Sequence, residues 1–522
     1  MTGAPAPPLR LAGLVATLSV ATDLGKGLPL EQAQRACLAA MRLAALAGLS
    51  EQDRRTTYYA SLLRFVGCTA SAHEFATVFG DDIAGSSWFA AADPADMREV
   101  LGIILRNAGK GEPGLRRVRA VARVLSAGPK VRKEHEQASC EVARLLADRL
   151  SLGPEVQDAL GQVFERWDGK GGVPGERRGE AIALPVRVGH VAHYGELFHR
   201  LDGVDGAVAA LRARSGRMFD PALVELACSN RAELFDALPG PATFDAVVAA
   251  EPEPWTRLDG EGVDRALRAM GDFADLKSPF TVGHSDGVAR LAAAAGATCG
   301  LDADAVVDLR RAGWIHDLGR CAVSTGIWDK PGPLSDGEWE RVRLHGYHTG
   351  RIVSRCPPLA AVGATAVLHH ERVDGSGYHR GLGGRDLPLP AALLAAADVY
   401  HALLEARPHR PAFAAHEAAA IVARERAEGR LHPDAAGAVL EAAGWERPPR
   451  APADLPGGLS GREVEVLALL ARGRTNAQVA AELFISPKTV GAHVEHIYRK
   501  IGVSTRAAAT VFALGHDLVR IG

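Results

Sequence analysis

The chain has 522 residues, 47% hydrophobic and 23% charged, with a formal charge of −2. That length exceeds what one core holds and suggests roughly three domains; the near-neutral balance excludes a chain-wide polyanion-binding surface, so any nucleic-acid contact must be local. Seven cysteines (Cys37, Cys68, Cys140, Cys228, Cys299, Cys321, Cys356) lie scattered without CxxC spacing, which argues against a disulfide framework or a zinc finger and fits a reducing cytoplasm.

Ala, Leu and Arg recur at helical spacing and strand-like alternation is almost absent, so an all-α fold is expected. The early run "LRLAGLVATLSVATDLG" lacks a clear signal cleavage site and reads as a first helix. No stretch is long and apolar enough to span a bilayer, so no membrane partner is expected. Pro/Gly/acid-rich stretches at 249–262 and 446–458 read as linkers. They predict a helical domain at 1–248, a second at 256–446, a linker at 447–457 and a small domain at 458–522.

The first two segments read as copies of one unit. "ERWDGKG" (Glu165 to Gly171) answers "ERVDGSG" (Glu371 to Gly377). Upstream, a constant offset of 252 pairs Asp23-Leu24 with Asp275-Leu276, Gly48-Leu49 with Gly300-Leu301, and Gly67 with Gly319. On this alignment Gln32 stands opposite His284, Arg64 opposite His316, Phe65 opposite Asp317, and Val163-Phe164 opposite His369-His370. Copy one keeps a frame and loses the titratable side chains, so it is expected to be degenerate.

Nine of the nineteen histidines lie between 284 and 409. In order, the candidate ligands are His284, His316, Asp317, His345, His369, His370 and Asp398. Imidazole and carboxylate without thiolate suit iron, manganese or another divalent first-row ion. Seven groups are too many for one ion, whereas two ions about 3.5–4 Å apart, bridged by one carboxylate, would use them all and make hydroxide at neutral pH.

The motifs "HSDGVA", "WIHDLGR", "RLHGYHTG", "HHERVDGSGYH" and "AADVYHALLEARPHR" resemble, in order and spacing, the HD-GYP subgroup of HD phosphohydrolases, over about residues 263 to 430. The resemblance implies an all-helical, bimetal phosphodiesterase acting on a cyclic dinucleotide, chiefly cyclic di-GMP. It places His284, His316, Asp317 and Asp398 on one metal and His345, His369 and His370 on the other, with Asp317 as the bridge. It also implies Arg320 beside the catalytic Asp317, with Arg320, Arg407 and Arg410 binding substrate phosphates. The chain departs from the family at His379, where the signature has proline, at His401, His409 and at Phe280, where some members carry a third-metal glutamate. The last argues for two metals.

Between 455 and 522 eight Lys/Arg face five Asp/Glu, a local surplus of three positive charges. Ser460 with Glu463 forms a capping pattern, Gly473 ends that helix, "TNAQVAAELF" forms a second helix, and Ser486-Pro487 opens a third. Two short helices joined by a tight turn describe a helix-turn-helix. The segment resembles the LuxR/NarL-type DNA-binding domain, a small four-helix fold. By position, Ser486, Lys488, Thr489, His493, Arg499 and Lys500 are the expected DNA-binding residues on duplex DNA, with Val490 and Ile497 packed inward and the last helix, "TRAAATVFALGHDLV", available for a homodimer. The expectation is a cytoplasmic regulator that couples a cyclic-dinucleotide phosphodiesterase to DNA binding; the alternative is a transcription factor that senses the nucleotide with little hydrolysis.

Overall fold

The computed structural model describes residues 9–172, 177–236, 243–446, 455–516 and 518. The expected linker at 447–457 lies outside the described residues up to position 454. Among the described residues there is no strand, only isolated bridges such as Arg10 with Arg257. Among the described residues no helix is long and apolar enough to cross a membrane.

Helix α1 (Leu11–Gly25) is the apolar N-terminal run, and it is buried from Leu11 to Asp23. Helices α2 (Gln32–Leu46) and α3 (Glu51–Leu62) follow; Ser50 caps α3 by accepting from the Asp53 amide at 3.1 Å. A long α4 (Gly114–Arg149) carries Pro129 inside it, and α5 (Leu184–Arg214) breaks at Gly203, whose φ of 73° is left-handed. Leu43 of α2 meets Val188, Val191 and Leu211 of α5 and the following Phe219 and Phe235 in one apolar core.

The 250–259 stretch, expected as a linker, is pinned. Buried Glu251 pairs with Arg10 and accepts from the Tyr59 hydroxyl at 2.5 Å, while Arg55 donates to the Pro254 carbonyl at 2.6 Å. Beyond it come α6 (Gly260–Asp275), α7 (His284–Thr298), α8 (Ala303–Ile315), α9 (His345–Val353), α10 (Leu389–Leu403), α11 (Ala415–Ala427) and α12 (Pro433–Ala442). The C-terminal helices are α13 (Gly461–Ala471), α14 (Asn476–Leu483), α15 (Pro487–Ile501) and α16 (Arg506–Gly515).

The chain contacts divide it into two compact units: one comprises residues up to Ala289 with Arg311–Val367 and Glu405–Pro411, the other Arg290–Arg310, Leu368–Leu404 and everything from Ala412. The division runs through the segment expected as the second domain.

Local geometry recurs at the matched positions. Asp23 accepts from the Ala33 amide and Asp275 from the Ser285 amide, a separation of ten residues in each case. A Cβ on Gly67 would fall 1.9 Å from the Ser139 carbonyl oxygen, and one on Gly319 would fall 1.9 Å from that of His345. Gly169 and Gly375 are both left-handed, at φ 73° and 74°. Any side chain at Gly67 or Gly319 therefore displaces backbone. Gly319→Ala and Gly67→Ala are each expected to lower stability by about 1–3 kcal/mol through overpacking, whereas Gly332→Ala, which meets nothing within 4 Å, is neutral; urea unfolding midpoints of the three variants check this.

Candidate metal centre and DNA-binding helix

The first unit gathers three of the expected ligands around a fourth, the Asp317 carboxylate. His284 opens α7, His316 and Asp317 follow the end of α8, and His345 opens α9. The close approach at Gly319 brings α9 against the turn after Asp317, and Thr349 fastens it: its hydroxyl donates to the His316 carbonyl at 2.8 Å and accepts from the Gly319 amide at 2.9 Å. Nearby, Asp275 accepts from both the amide and the hydroxyl of Ser285, at 2.9 and 2.7 Å, and burial pushes its carboxyl up to about 7.

The three imidazoles turn the same edge to Asp317. His284 Nε2 is 3.7 Å and His316 Nε2 3.6 Å from Asp317 Oδ2, and His345 Nε2 is 3.4 Å from Oδ1. Their other nitrogens are already engaged: His316 Nδ1 lies 2.6 Å from the Gly313 carbonyl oxygen, His345 Nδ1 2.5 Å from that of Val342, and His284 Nδ1 3.1 Å from Glu405 Oε2. A carbonyl oxygen only accepts, so in His316 and His345 Nδ1 carries a proton, and in the neutral ring Nε2 then turns a lone pair towards Asp317. With His316 and Asp317 almost fully buried, these groups at 3.4–3.7 Å form a place that a cation stabilises. The donor set therefore fits divalent ions, with no thiolate and with the outer nitrogens braced.

Arg320 joins this cluster to a cavity. Its Nη1 is 3.2 Å from Asp317 Oδ2 and its guanidinium lies 3.9 Å over the Trp328 ring. The cavity measures about 650 Å³ and is lined by Arg320, Lys330, Arg407, Arg410, Trp328 and Trp339, among others. That size suits a small-molecule ligand. All three arginines expected from the sequence thus line one cavity. Arg407 is held by Glu405 at 2.6 Å, and Arg410 donates to the Glu405 carbonyl at 3.0 Å.

Sequence reasoning missed Glu405, Lys330 and the two tryptophans. Glu405 sits two residues before Arg407 in "LLEARPHR", a stretch read only for its bases. Lys330 and Trp328 stand together in "IWDKPGP", which carries cation and aromatic but no ligand spacing.

The second unit holds the remaining expected ligands. The His369 and His370 rings lie 4.1 Å apart, and His370 Nδ1 is 3.6 Å from Asp398 Oδ2 on α10. Glu371 is fully buried and accepts the amides of Arg380 and Leu382, each at 2.8 Å, so it shapes the glycine-rich turn. A Cβ on Gly377 would meet the His370 carbonyl oxygen at 2.5 Å. At His379, burial pulls the imidazole below its usual range, with Arg380 adding to the effect.

The C-terminal helices form as their caps require. Ser460 with Glu463 and Thr475 with Gln478 make complete capping boxes, Ser486 accepts from the Thr489 amide at 3.0 Å, and Gly502 closes α15 in the left-handed region at φ 68°. Val490 and Ile497 are fully buried with Val466, Leu467 and Val479. Lys488 and Thr489 are exposed at the start of α15, and Ser486 shares a hydrogen bond of 2.8 Å with the Thr489 hydroxyl. His493 is half-buried, which pulls its pKa down. Lys500 is engaged by Glu463 at 2.7 Å, whereas Arg499 is exposed and donates one nitrogen to the Asp374 carbonyl at 3.4 Å.

Comparison with known proteins gives two family matches: an HD domain at residues 268–435 and the luxR family of bacterial regulatory proteins at 458–513. The chain is 30% identical over 417 residues to a 3'3'-cGAMP-specific phosphodiesterase of Vibrio cholerae, covering 79% of this chain and 90% of that relative. It is 33% identical over 146 residues to a cyclic di-GMP phosphodiesterase of Thermotoga maritima, covering 28% of this chain and 39% of that relative. Among solved structures, a cyclic GMP-AMP specific phosphodiesterase of V. cholerae matches with a TM-score of 0.57 and 26% identity, over 84% of this chain and 98% of that one.

Proposed function

Because the chain belongs to the HD-domain family of cyclic-dinucleotide phosphodiesterases and carries a LuxR-family DNA-binding domain, we propose that it hydrolyses a 3'3'-linked cyclic dinucleotide at a two-metal centre and binds DNA through α15. The observation that carries this reading is the set of three Nε2 atoms turned on Asp317 while the Nδ1 atoms are held from behind. 3'3'-cGAMP is the leading substrate, since the similarity to the V. cholerae relative runs through most of the chain; cyclic di-GMP is the second.

Motif order assigns His284, His316, Asp317 and Asp398 to one ion and His345, His369 and His370 to the other, with Asp317 shared. Iron or manganese suits these donors. The chemistry that divalent ions supply when bound is Lewis acidity at the phosphoryl oxygens and a water acidic enough to attack at neutral pH. The chain's own groups do the rest. The carbonyls of Gly313 and Val342 hold the tautomers that turn lone pairs inward, and Glu405 does the same for His284 as a positioning residue. Arg320, stacked on Trp328, sets the Asp317 carboxylate and offers its remaining donors to a phosphate. Arg407, Arg410 and Lys330 neutralise the two phosphates of a dinucleotide, and the tryptophans give its purines a stacking face. We place the protein in the cytoplasm, as a homodimer on DNA through α16.

Asp317→Ala removes the shared ligand and is expected to abolish both bound metals and turnover, read by elemental analysis of the purified protein and chromatography of products from 3'3'-cGAMP and cyclic di-GMP. Full activity in that variant sinks the two-metal reading; bound metal without turnover in the unaltered protein favours nucleotide sensing instead.

Glu405→Gln keeps the shape of the brace and removes its charge. It is expected to weaken metal affinity about 10–100-fold, measured by metal titration with a competing chelator; unchanged affinity shows that His284 needs no brace.

On DNA, Lys488→Ala is expected to weaken binding to all sequences alike and to flatten the salt dependence by about one counterion, while His493→Ala loses about 1–3 kcal/mol of discrimination between sites. Gel-shift titrations against a selected and a scrambled duplex at two salt concentrations separate the two. No change in either variant removes α15 from the groove.

A further inference from the structure

The first segment contains a buried charge that no carboxylate among the described residues pairs. Arg64 follows α3 and is 7% exposed. Its position matches that of His316, and its neighbour Phe65 matches Asp317, so the carboxylate that organises copy two has no counterpart beside it. The guanidinium packs near aromatic faces, 5.3 Å from the Phe65 ring centre and 5.9 Å from that of Tyr194. Among the described residues no ion pair joins it to a carboxylate, and its Nε has no hydrogen-bond partner.

The Tyr194 hydroxyl supports the guanidinium as a hydrogen-bond partner, but it is a neutral phenol whose pKa burial raises, and no neighbour brings a full negative charge. His190 and His193 are buried, and their pKa values are pulled well down, first by burial and then by the Arg64 charge itself. Lys26 lies over the far side of Phe65 at 5.5 Å. Burial lowers the Arg64 pKa as well, but a guanidinium stays protonated at any physiological pH. A buried, unpaired charge is among the costlier features a fold can keep.

Arg64 and Ser61, whose hydroxyl lacks a partner, line a small pocket together with Ala36, Val163, Val186 and His193. Its volume of about 10 Å³ is the size that holds a single water, for which about 10–15 Å³ is required. A nucleotide or a phosphate does not fit such a space, and a divalent cation is repelled by the guanidinium. A water fits, yet it brings no charge. We propose that the cavity binds one small monovalent anion of the halide class against Arg64, with Ser61 donating its hydroxyl, so that an internal arginine–anion pair stands where copy two gathers its metal ligands. This goes beyond the phosphodiesterase reading and does not depend on it.

The test uses the full chain. Thermal unfolding is followed in sodium chloride and in sodium gluconate at equal ionic strength, since gluconate is too large for the cavity. Chloride is expected to raise the midpoint by a few degrees in a saturable way, and Arg64→Met, close in shape and uncharged, is expected to abolish that shift. Because the DNA-binding domain and the phosphate cavity also meet anions, it is the loss of the shift in the variant that counts. Crystals grown with bromide in place of chloride give a second reading, expected to show an anomalous peak within hydrogen-bond reach of the Arg64 guanidinium. A chloride shift that survives Arg64→Met, or a water without anomalous signal at Arg64, overturns the proposal. Should the variant fail to fold, the bromide experiment decides alone.

Discussion

Three imidazole edges turned on one buried carboxylate are a constraint that the rest of the HD segment serves. Nε2 lone pairs and carboxylate oxygens at 3.4–3.7 Å are like partial charges brought together where water cannot screen them. Such an arrangement needs the backbone to hold it from outside. The holding groups are visible: carbonyls of Gly313 and Val342 behind two histidines, Glu405 behind the third, and Thr349 locking the turn after Asp317 to α9. Gly319 is the condition for all of it, because any Cβ there would push α9 away. The same rigidity serves catalysis, which needs donors fixed before the reaction rather than gathered during it.

The cavity lined by Arg320, Arg407 and Arg410 follows from that constraint at one remove. Arg320 hydrogen-bonds the same carboxylate and stacks on Trp328, so its orientation is set by the cluster and by an aromatic face at once. Glu405 has two duties: one oxygen is shared between His284 and Arg407, tying a candidate ligand to a candidate phosphate contact. A carboxylate in that place lowers the cost of crowding cations into one cavity while no ligand is bound. It also couples the two functions, since a change in the charge on one partner is felt by the other.

Much of this was legible from residue order. Histidine and aspartate are rare enough, and their chemistry narrow enough, that seven of them in a known order announce a metal site before any geometry is known. Capping residues were equally readable: Ser460, Thr475 and Ser486 do locally what their side chains allow, independent of tertiary context. What composition misread was the 250–259 stretch. Its prolines and acids look like a linker, but Glu251 is buried between Arg10 and Tyr59, partners some 190 to 240 positions away in sequence. Glu405 was missed for the same reason: its partner His284 is 121 positions away, and no local pattern marks an acid that braces rather than binds. Lys500 and Arg499 look like free cations in sequence, yet Glu463 and the Asp374 carbonyl engage them, and only tertiary packing decides which basic residues on a helix remain available.

Positions related by the offset of 252 share backbone features and differ in their side chains. Asp23 and Asp275 each take the amide ten residues on, and burial raises both carboxyls, to about 8 and about 7; Gly67 and Gly319 each admit a carbonyl where no side chain fits. These features recur although Gln32, Arg64 and Phe65 stand at the positions matched to His284, His316 and Asp317. The shared frame originates in backbone packing at glycine and a buried acid held by amides. What the frame provides is a place where charge is exposed to little water. In copy two that place is filled by acceptors that call for cations. In copy one the same site in the alignment carries a guanidinium among neutral histidines, which reverses the sign of the group the site wants. On the proposal above, Arg64 and Phe65 at the positions matched to His316 and Asp317, with Gln32, Val163 and Phe164 at those of the other ligands, make the matched site one that favours an anion rather than a cation.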